Sequence, residues 1–162
     1  MCSMRIYTLG VYGTAEREFF RKLRDYQIDT FCDIRQRRAV RGARYAFVNA
    51  VKLQETLAAL KINYKYVKAL AATQAIRDIQ KKIDADIGTG QRQRERVSPE
   101  FIADYSKTVL EPFDFDQMVE RLQSLHAKRV VLFCVEKSPA ACHRSLVAER
   151  LHDRYGYSVI HL

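Results

Sequence analysis

The sequence predicts an α/β domain: a three-layer sandwich with a mainly parallel sheet of about five strands and helices on both faces. Three observations predict it. Short runs rich in β-branched and aromatic residues alternate with amphipathic helical stretches, in the order strand, helix, strand, helix, strand, helices, strand, helix, strand. The clearest strand, Arg129 to Cys134, is an almost unbroken apolar run, as expected of a strand covered on both faces. The 162 residues, 48% of them hydrophobic, suit a single domain spanning residues 1–162 with enough apolar surface for a core.

The elements follow in order. Arg5 to Gly10 alternates and ends in glycine, as a first strand does, and Val11-Tyr12-Gly13 makes the turn. Thr14 is placed to cap a helix with Glu16 and Glu18 in its first turn and Phe19, Phe20, Leu23 and Tyr26 on one face. Ile28 to Ile34 forms the second strand. Asn49 is placed to cap a helix carrying Leu53, Leu57 and Leu60, and Tyr64 to Leu70 forms the third strand. A helix with Ile76, Ile79 and Ile83 starts near Thr73. Residues 88–97 are polar, basic and glycine-punctuated, the pattern of a mobile loop. Ser98-Pro99 opens a helix with Phe101, Ile102, Tyr105 and Val109 in its stripe. Asp114 and Gln117 form a capping pair for a helix bearing Met118, Val119, Leu122 and Leu125. The fourth strand follows, then a long helix opened by Ser138-Pro139, then a last strand from Ser158 to Leu162.

Twenty-eight Lys and Arg against nineteen Asp and Glu give a formal charge of +9, which favours anionic partners such as nucleic acid or nucleotides. The four cysteines, Cys2, Cys32, Cys134 and Cys142, form no CxxC pair. No leader pattern and no apolar run of about 20 residues is found, so a cytoplasmic protein with reduced thiols and no membrane partner is expected. Gly10-Val11-Tyr12-Gly13 lacks the third glycine of the dinucleotide fingerprint, so no NAD is inferred, and nothing else specifies a cofactor.

The chemistry-bearing residues gather at strand ends, where an open parallel sheet binds its ligands. Glu136, Cys142, His143 and Arg144 follow the fourth strand. With Ser138 as cap and Pro139 as first helical residue, Cys142 lies about one turn into the helix, where the helix dipole and neighbouring cations favour a thiolate. Glu136 is a candidate acid or base, and Arg144 a planar anion fork. His143, in phase with Val147 and Leu151, also suits a structural core position, and Cys134 suits a small buried hydrophobe. The gaps from Cys134 and from Cys142 to Arg144, nine residues and one, exclude a tight cysteine–arginine phosphate cradle. A metal site is not expected: Cys32, Cys134, Cys142 and His143 match no standard zinc module, and adjacent helical residues diverge by about 100°.

Asp33 and Arg35 leave the second strand on one side, placed to share a crevice with Gly10, Tyr12, Glu136 and Arg144, or to pair with each other. Residues 35–44 hold five arginines and no acid. Arg37, Arg38 and Arg41, followed by Tyr45, suit phosphate contacts with an aromatic to stack on a base, and Arg92, Arg94 and Arg96 add a second basic patch.

The stretches TLGVYG, DIR with RYAF-N after it, and CVEKSPAACHRSLVAERL together resemble the family called domain of unknown function 488, over about Met4 to Leu162. Many members of that family have a histidine and a serine after the first-strand glycine, where this chain has Val11 and Tyr12. The branch with VYG often has a proline where this chain reads Leu70-Ala71-Ala72-Thr73. The resemblance implies motif positions at Gly10, Asp33, Arg35, Tyr45, Phe47, Asn49, Glu136, Cys142, His143 and Arg144, and implies no reaction.

The leading expectation is an enzyme acting on a phosphate-bearing substrate, nucleic acid or nucleotide. Arg35 and Arg144 hold the anion, Asp33 or Glu136 serves as acid or base, and Cys142 is a nucleophile. A non-catalytic nucleic-acid-binding module and a thiol redox or metal-binding protein are the alternatives.

Overall fold

The computed structural model describes residues 3–162. Five parallel strands, β1 (Arg5–Leu9), β2 (Thr30–Asp33), β3 (Asn63–Tyr66), β4 (Arg129–Phe133) and β5 (Ser158–His161), form one sheet in the order β3-β2-β4-β1-β5. Six α-helices connect them: α1 (Glu16–Asp25), α2 (Ala50–Ala59), α3 (Gln74–Asp86), α4 (Pro99–Tyr105), α5 (Phe115–Ser124) and α6 (His143–Tyr155). None is long and apolar enough to cross a membrane.

Strand alternation splits the apolar residues into two cores. Tyr7, Leu9, Phe31, Val131 and Phe133 face Phe19, Phe20 and Leu23 of α1, Phe47, and Leu53 and Leu57 of α2. Ile6, Cys32, Val130 and Leu132 face Ile76, Phe101, Tyr105, Met118, Leu122, Val147 and Leu151 from α3 to α6. The three-layer expectation therefore holds, because every central strand buries both of its faces.

This division creates the site. The chain leaves β1 and β2 toward α1 and α2 on one face, whereas it leaves β4, which lies between them, toward α6 on the other. Loops that diverge to opposite faces open a crevice at the carboxyl ends of the strands.

Local differences from the sequence reading have physical causes. The third strand stops at Tyr66, because β2 turns away after Asp33 and the last ladder bond is Val67 N–H to Asp33 O. Residues 68–70 then coil into a 3-10 turn that places Leu70 in the core. Thr14 is tied into the preceding turn through its N–H to Val11 O, so Ala15 stands at the α1 cap. Asn49 precedes α2 without a side-chain cap bond; its Oδ1 accepts from Val40 N–H at 2.7 Å instead. The caps at Thr73, Ser98 and Asp114 form as the sequence suggests.

At the edge, His161 Nδ1 lies 2.7 Å from Thr8 Oγ1. Burial, and then the positive Arg144, lower the His161 pKa below the ordinary histidine value, with Glu149 opposing. The folded state thus prefers neutral His161, and its contribution to stability is present above the ordinary pKa and lost as pH falls through the depressed one. Urea midpoints measured from neutral pH to pH 5 should fall less for His161→Gln than for the parent chain; an identical pH slope in both would refute this.

Candidate active site at the strand ends

The loops after β1 and β4 are joined before any ligand is considered. Val11 and Tyr12 N–H both donate to Val135 O, at 3.1 and 3.0 Å. Arg144, 1% exposed, reaches back from α6: Nη1 donates to Glu136 O at 2.7 Å and Nη2 to Lys137 O at 3.1 Å. Gly10 lies against this clamp, where a Cβ would collide with the Glu136 carbonyl and press on Arg144 Nη2. Gly10 is therefore a packing requirement of the clamp. Arg144 orders the loop through backbone carbonyls and stands behind the cleft lining.

Asp33 and Arg35 form a buried pair, 0% and 2% exposed. Arg35 Nε donates to Asp33 Oδ1 at 2.8 Å and Nη2 to Oδ2 at 2.7 Å. Asp33 also accepts from the Tyr64 hydroxyl at 2.7 Å, and Arg35 Nη2 donates to Val48 O at 2.9 Å. Asp33 is thus engaged at both oxygens by Arg35 and Tyr64, lies outside the cleft lining, and serves the structure as one half of a buried ion pair. Arg35 does line the cleft, and its Nη1 has no hydrogen-bond partner among the described residues.

The helix after β4 begins later than the sequence suggests. Pro139–Ala141 makes one 3-10 turn, and Cys142 then adopts an extended conformation, φ −143° and ψ 153°, as the residue that caps α6. Cys142 is therefore not inside the helix, and the 100° divergence from His143 does not apply. Its Sγ lies 3.6 Å from His143 Nδ1, and the ligand atoms of Cys134, Cys142 and His143 all fall within 4.8 Å of one another. His143 Nε2 is 2.8 Å from Ile34 O. A carbonyl only accepts, so Nε2 carries a proton and Nδ1 faces the sulfur atoms. Burial opposes the charged imidazole, but Cys142 and the Ile34 carbonyl outweigh it and raise the His143 pKa.

Glu136, buried beside this group, takes Cys134 Sγ at 3.3 Å on Oε2, and Gln91 and Arg94 at 2.9 and 3.4 Å on Oε1. Burial, and then a charge on Cys142, push the Glu136 carboxyl above its ordinary range. Burial opposes ionisation of Cys142, but the Cys134 thiol, His143 and Arg144 outweigh it and hold Cys142 well below the usual thiol range. Cys134 moves the opposite way, raised first by its bond to Cys142 and then by burial. One thiolate and one thiol thus share the pair. Cys32 is separate: burial pushes it to about 12.

These side chains form the floor of a cleft of about 800 Å³. Of the expected site residues, Tyr12, Arg35, Arg37, Arg41, Glu136, Cys142 and His143 line it. Gly10, Asp33, Arg38, Tyr45, Asn49 and Arg144 do not. Arg38 stacks on Tyr66 at 4.1 Å, Tyr45 is buried with its hydroxyl accepting from Gly13 N–H, and Asn49 pins the arginine segment. A second cleft of about 850 Å³ beside β3 is lined largely by apolar side chains and holds no cluster of ligating groups.

A family model described as domain of unknown function DUF488 matches residues 15–151. The chain belongs to the DUF488 family. Neither a curated protein nor a solved structure matches it.

Several residues of this DUF488 site were not singled out from the sequence, and Arg94 reads there only as part of a basic patch. Arg94 bridges Asp84 at 2.6 Å and Glu136, and donates to Ala141 O, while Val97 N–H donates to Ala140 O. The loop at 88–97 is therefore fastened across the cleft at Arg94 and Val97. A signal existed: arginines at 92, 94 and 96 alternate, and only the middle one turns inward. Arg77 and Lys81 reach the same cleft from α3.

Breaking the Asp33–Arg35 pair strands a buried charge, which costs about 3–5 kcal/mol. Asp33→Ala should lose stability of that order in urea denaturation. A loss under about 1 kcal/mol, the level of an exposed pair, would contradict the structural assignment.

Proposed function

We propose that this DUF488 protein is an enzyme acting on a phosphate-bearing substrate, a nucleotide or nucleic acid, bound across the strand-end cleft. One observation carries the reading: the cations of the cleft wall are not balanced from within. Arg37, Arg41, Arg77, Lys81 and Arg92 enter no ion pair among the described residues. The lining acids Asp84 and Glu136 already share Arg94, which leaves Asp78, hydrogen-bonded to Gln74, as the remaining acid of the wall. A concave surface with surplus charge of one sign concentrates ligands of the other. The free Nη1 of Arg35 supplies a further donor deep in the cleft.

The wall also carries an aromatic ring, that of Tyr12, which rests on the buried Tyr45. Arg92 lies 4.9 Å from the Tyr12 ring centre and 5.4 Å from that of Tyr45, and the two rings are 5.3 Å apart. A flat base can extend such a stack, as in single-strand binding sites. Beneath it, Glu136 is the group that would hold or move a proton, and the Cys134–Cys142–His143 cluster the group that would supply a nucleophile or Lewis acid.

The test uses fluorescence anisotropy with a short labelled single-stranded oligonucleotide and with ATP. Oligonucleotide affinity should fall by about tenfold to a hundredfold between roughly 50 and 200 mM salt, as expected for a few phosphate contacts. The combined Arg41→Ala, Lys81→Ala and Arg92→Ala variant should bind at least tenfold more weakly, whereas Glu136→Gln should keep binding and lose turnover of any phosphate ester the protein processes. Affinity indifferent to salt and to the three substitutions would overturn the proposal.

A further inference from the structure

We propose that Cys134 Sγ, Cys142 Sγ and His143 Nδ1 form a site for one soft divalent cation, of which zinc is the type, with a fourth position opening into the cleft. The inference goes beyond the anion-binding reading and does not depend on it.

Three independent features support it. The first is the donor set: two sulfurs and one imidazole nitrogen, which suits zinc and its soft relatives and does not suit magnesium or calcium. The second is spacing. Tetrahedral zinc, with Zn–S of about 2.3 Å and Zn–N of about 2.0–2.1 Å, sets its ligand atoms about 3.5–3.8 Å apart. Cys142 Sγ and His143 Nδ1 are already 3.6 Å apart, and no pair in the group exceeds 4.8 Å, so closing around an ion needs movements of about an ångström or less. The third is orientation. Metal-bound histidines commonly give their other ring N–H to a carbonyl or carboxylate, which fixes the tautomer and the ring plane. His143 Nε2 does this with Ile34 O at 2.8 Å, which leaves Nδ1 facing the two sulfur atoms.

The fold explains why the ligands converge. Cys134 ends β4 and Cys142 caps α6, so one loop returns the chain to its own strand end, and Arg144 holds that loop through the Glu136 and Lys137 carbonyls. All three ligands line the cleft, and Glu136 Oε2, 3.3 Å from Cys134 Sγ, stands beside the open position. Three protein ligands with an open fourth position is the arrangement of catalytic zinc, in which the ion activates water or polarises a substrate oxygen. Binding would release the remaining thiol proton to solvent and set both sulfurs as thiolates.

The test takes the full chain, purified under reducing conditions, stripped with a chelator and titrated with Co2+. Wild type should bind one Co2+ per chain, with sulfur-to-cobalt charge-transfer absorption and tetrahedral visible bands that one equivalent of Zn2+ removes. Cys134→Ser, Cys142→Ser and His143→Gln should each weaken Co2+ at least tenfold, while Cys32→Ala, a cysteine outside the group, should leave the spectrum intact. Should His143→Gln fail to fold by circular dichroism, the near-isosteric cysteine variants still decide the matter. The proposal is overturned if the reduced wild type shows no stoichiometric charge-transfer band, if Cys142→Ser keeps it, or if the protein takes up no metal and instead forms a Cys134–Cys142 disulfide, seen as a loss of two hydrogens by mass spectrometry.

Discussion

A buried guanidinium with no carboxylate partner is costly unless its protons are taken up elsewhere. Arg144 meets most of this on the backbone: the carbonyls of Glu136 and Lys137 accept hydrogen bonds from its two Nη atoms deep between α6 and the sheet, while its Nε has no partner among the described residues. That contact places Glu136 over the strand ends, fixes the path from Cys134 to Cys142, and requires a residue without a side chain at position 10. Whatever the cleft binds meets a floor whose shape is set by this one side chain. Gly10, Glu136 and Arg144 are therefore parts of one mechanical unit, though only Glu136 faces the cleft.

Electrostatic division of labour is the second theme. The inner acids are paired with neighbouring cations: Asp33 with Arg35, and Asp84 and Glu136 with Arg94. The outer cations are not. A closed inner network keeps buried charges from drifting, while an unbalanced outer wall leaves charge available to a ligand. Of the first arginine cluster, Arg35 turns inward, Arg38 stacks on Tyr66, and Arg37 and Arg41 remain at the wall.

Sheet and layers were legible because periodicity is a local signal: strand alternation and the faces of α1 and α5 appear in the sequence as they do in the fold. The pairing of Asp33 with Arg35 was legible for the same reason, being two residues apart on one side of a strand. Two things were not. Ser138-Pro139 is a sound helix start signal, but it was satisfied by a single 3-10 turn, and the chain then straightened at Cys142 before α6 began; this moved Cys142 from inside the helix to its cap. Arg94 meets Glu136 across 42 positions, a distance at which sequence spacing carries no geometric information. Both misreadings fell in the site, where the backbone departs from regular structure.

The placement of β1 has a kinetic consequence. Its two neighbours are β4 and β5, so Arg5 pairs with Arg129 and with Ser158. During synthesis β1 thus has no sheet partner until well over a hundred further residues have been made, and its apolar Ile6, Tyr7 and Leu9 must wait without their final cover. Contacts so remote in sequence slow folding and leave an early segment open to wrong pairings. The cleft needs Gly10 against Glu136 and Arg144, so its floor depends on that same long-range pairing.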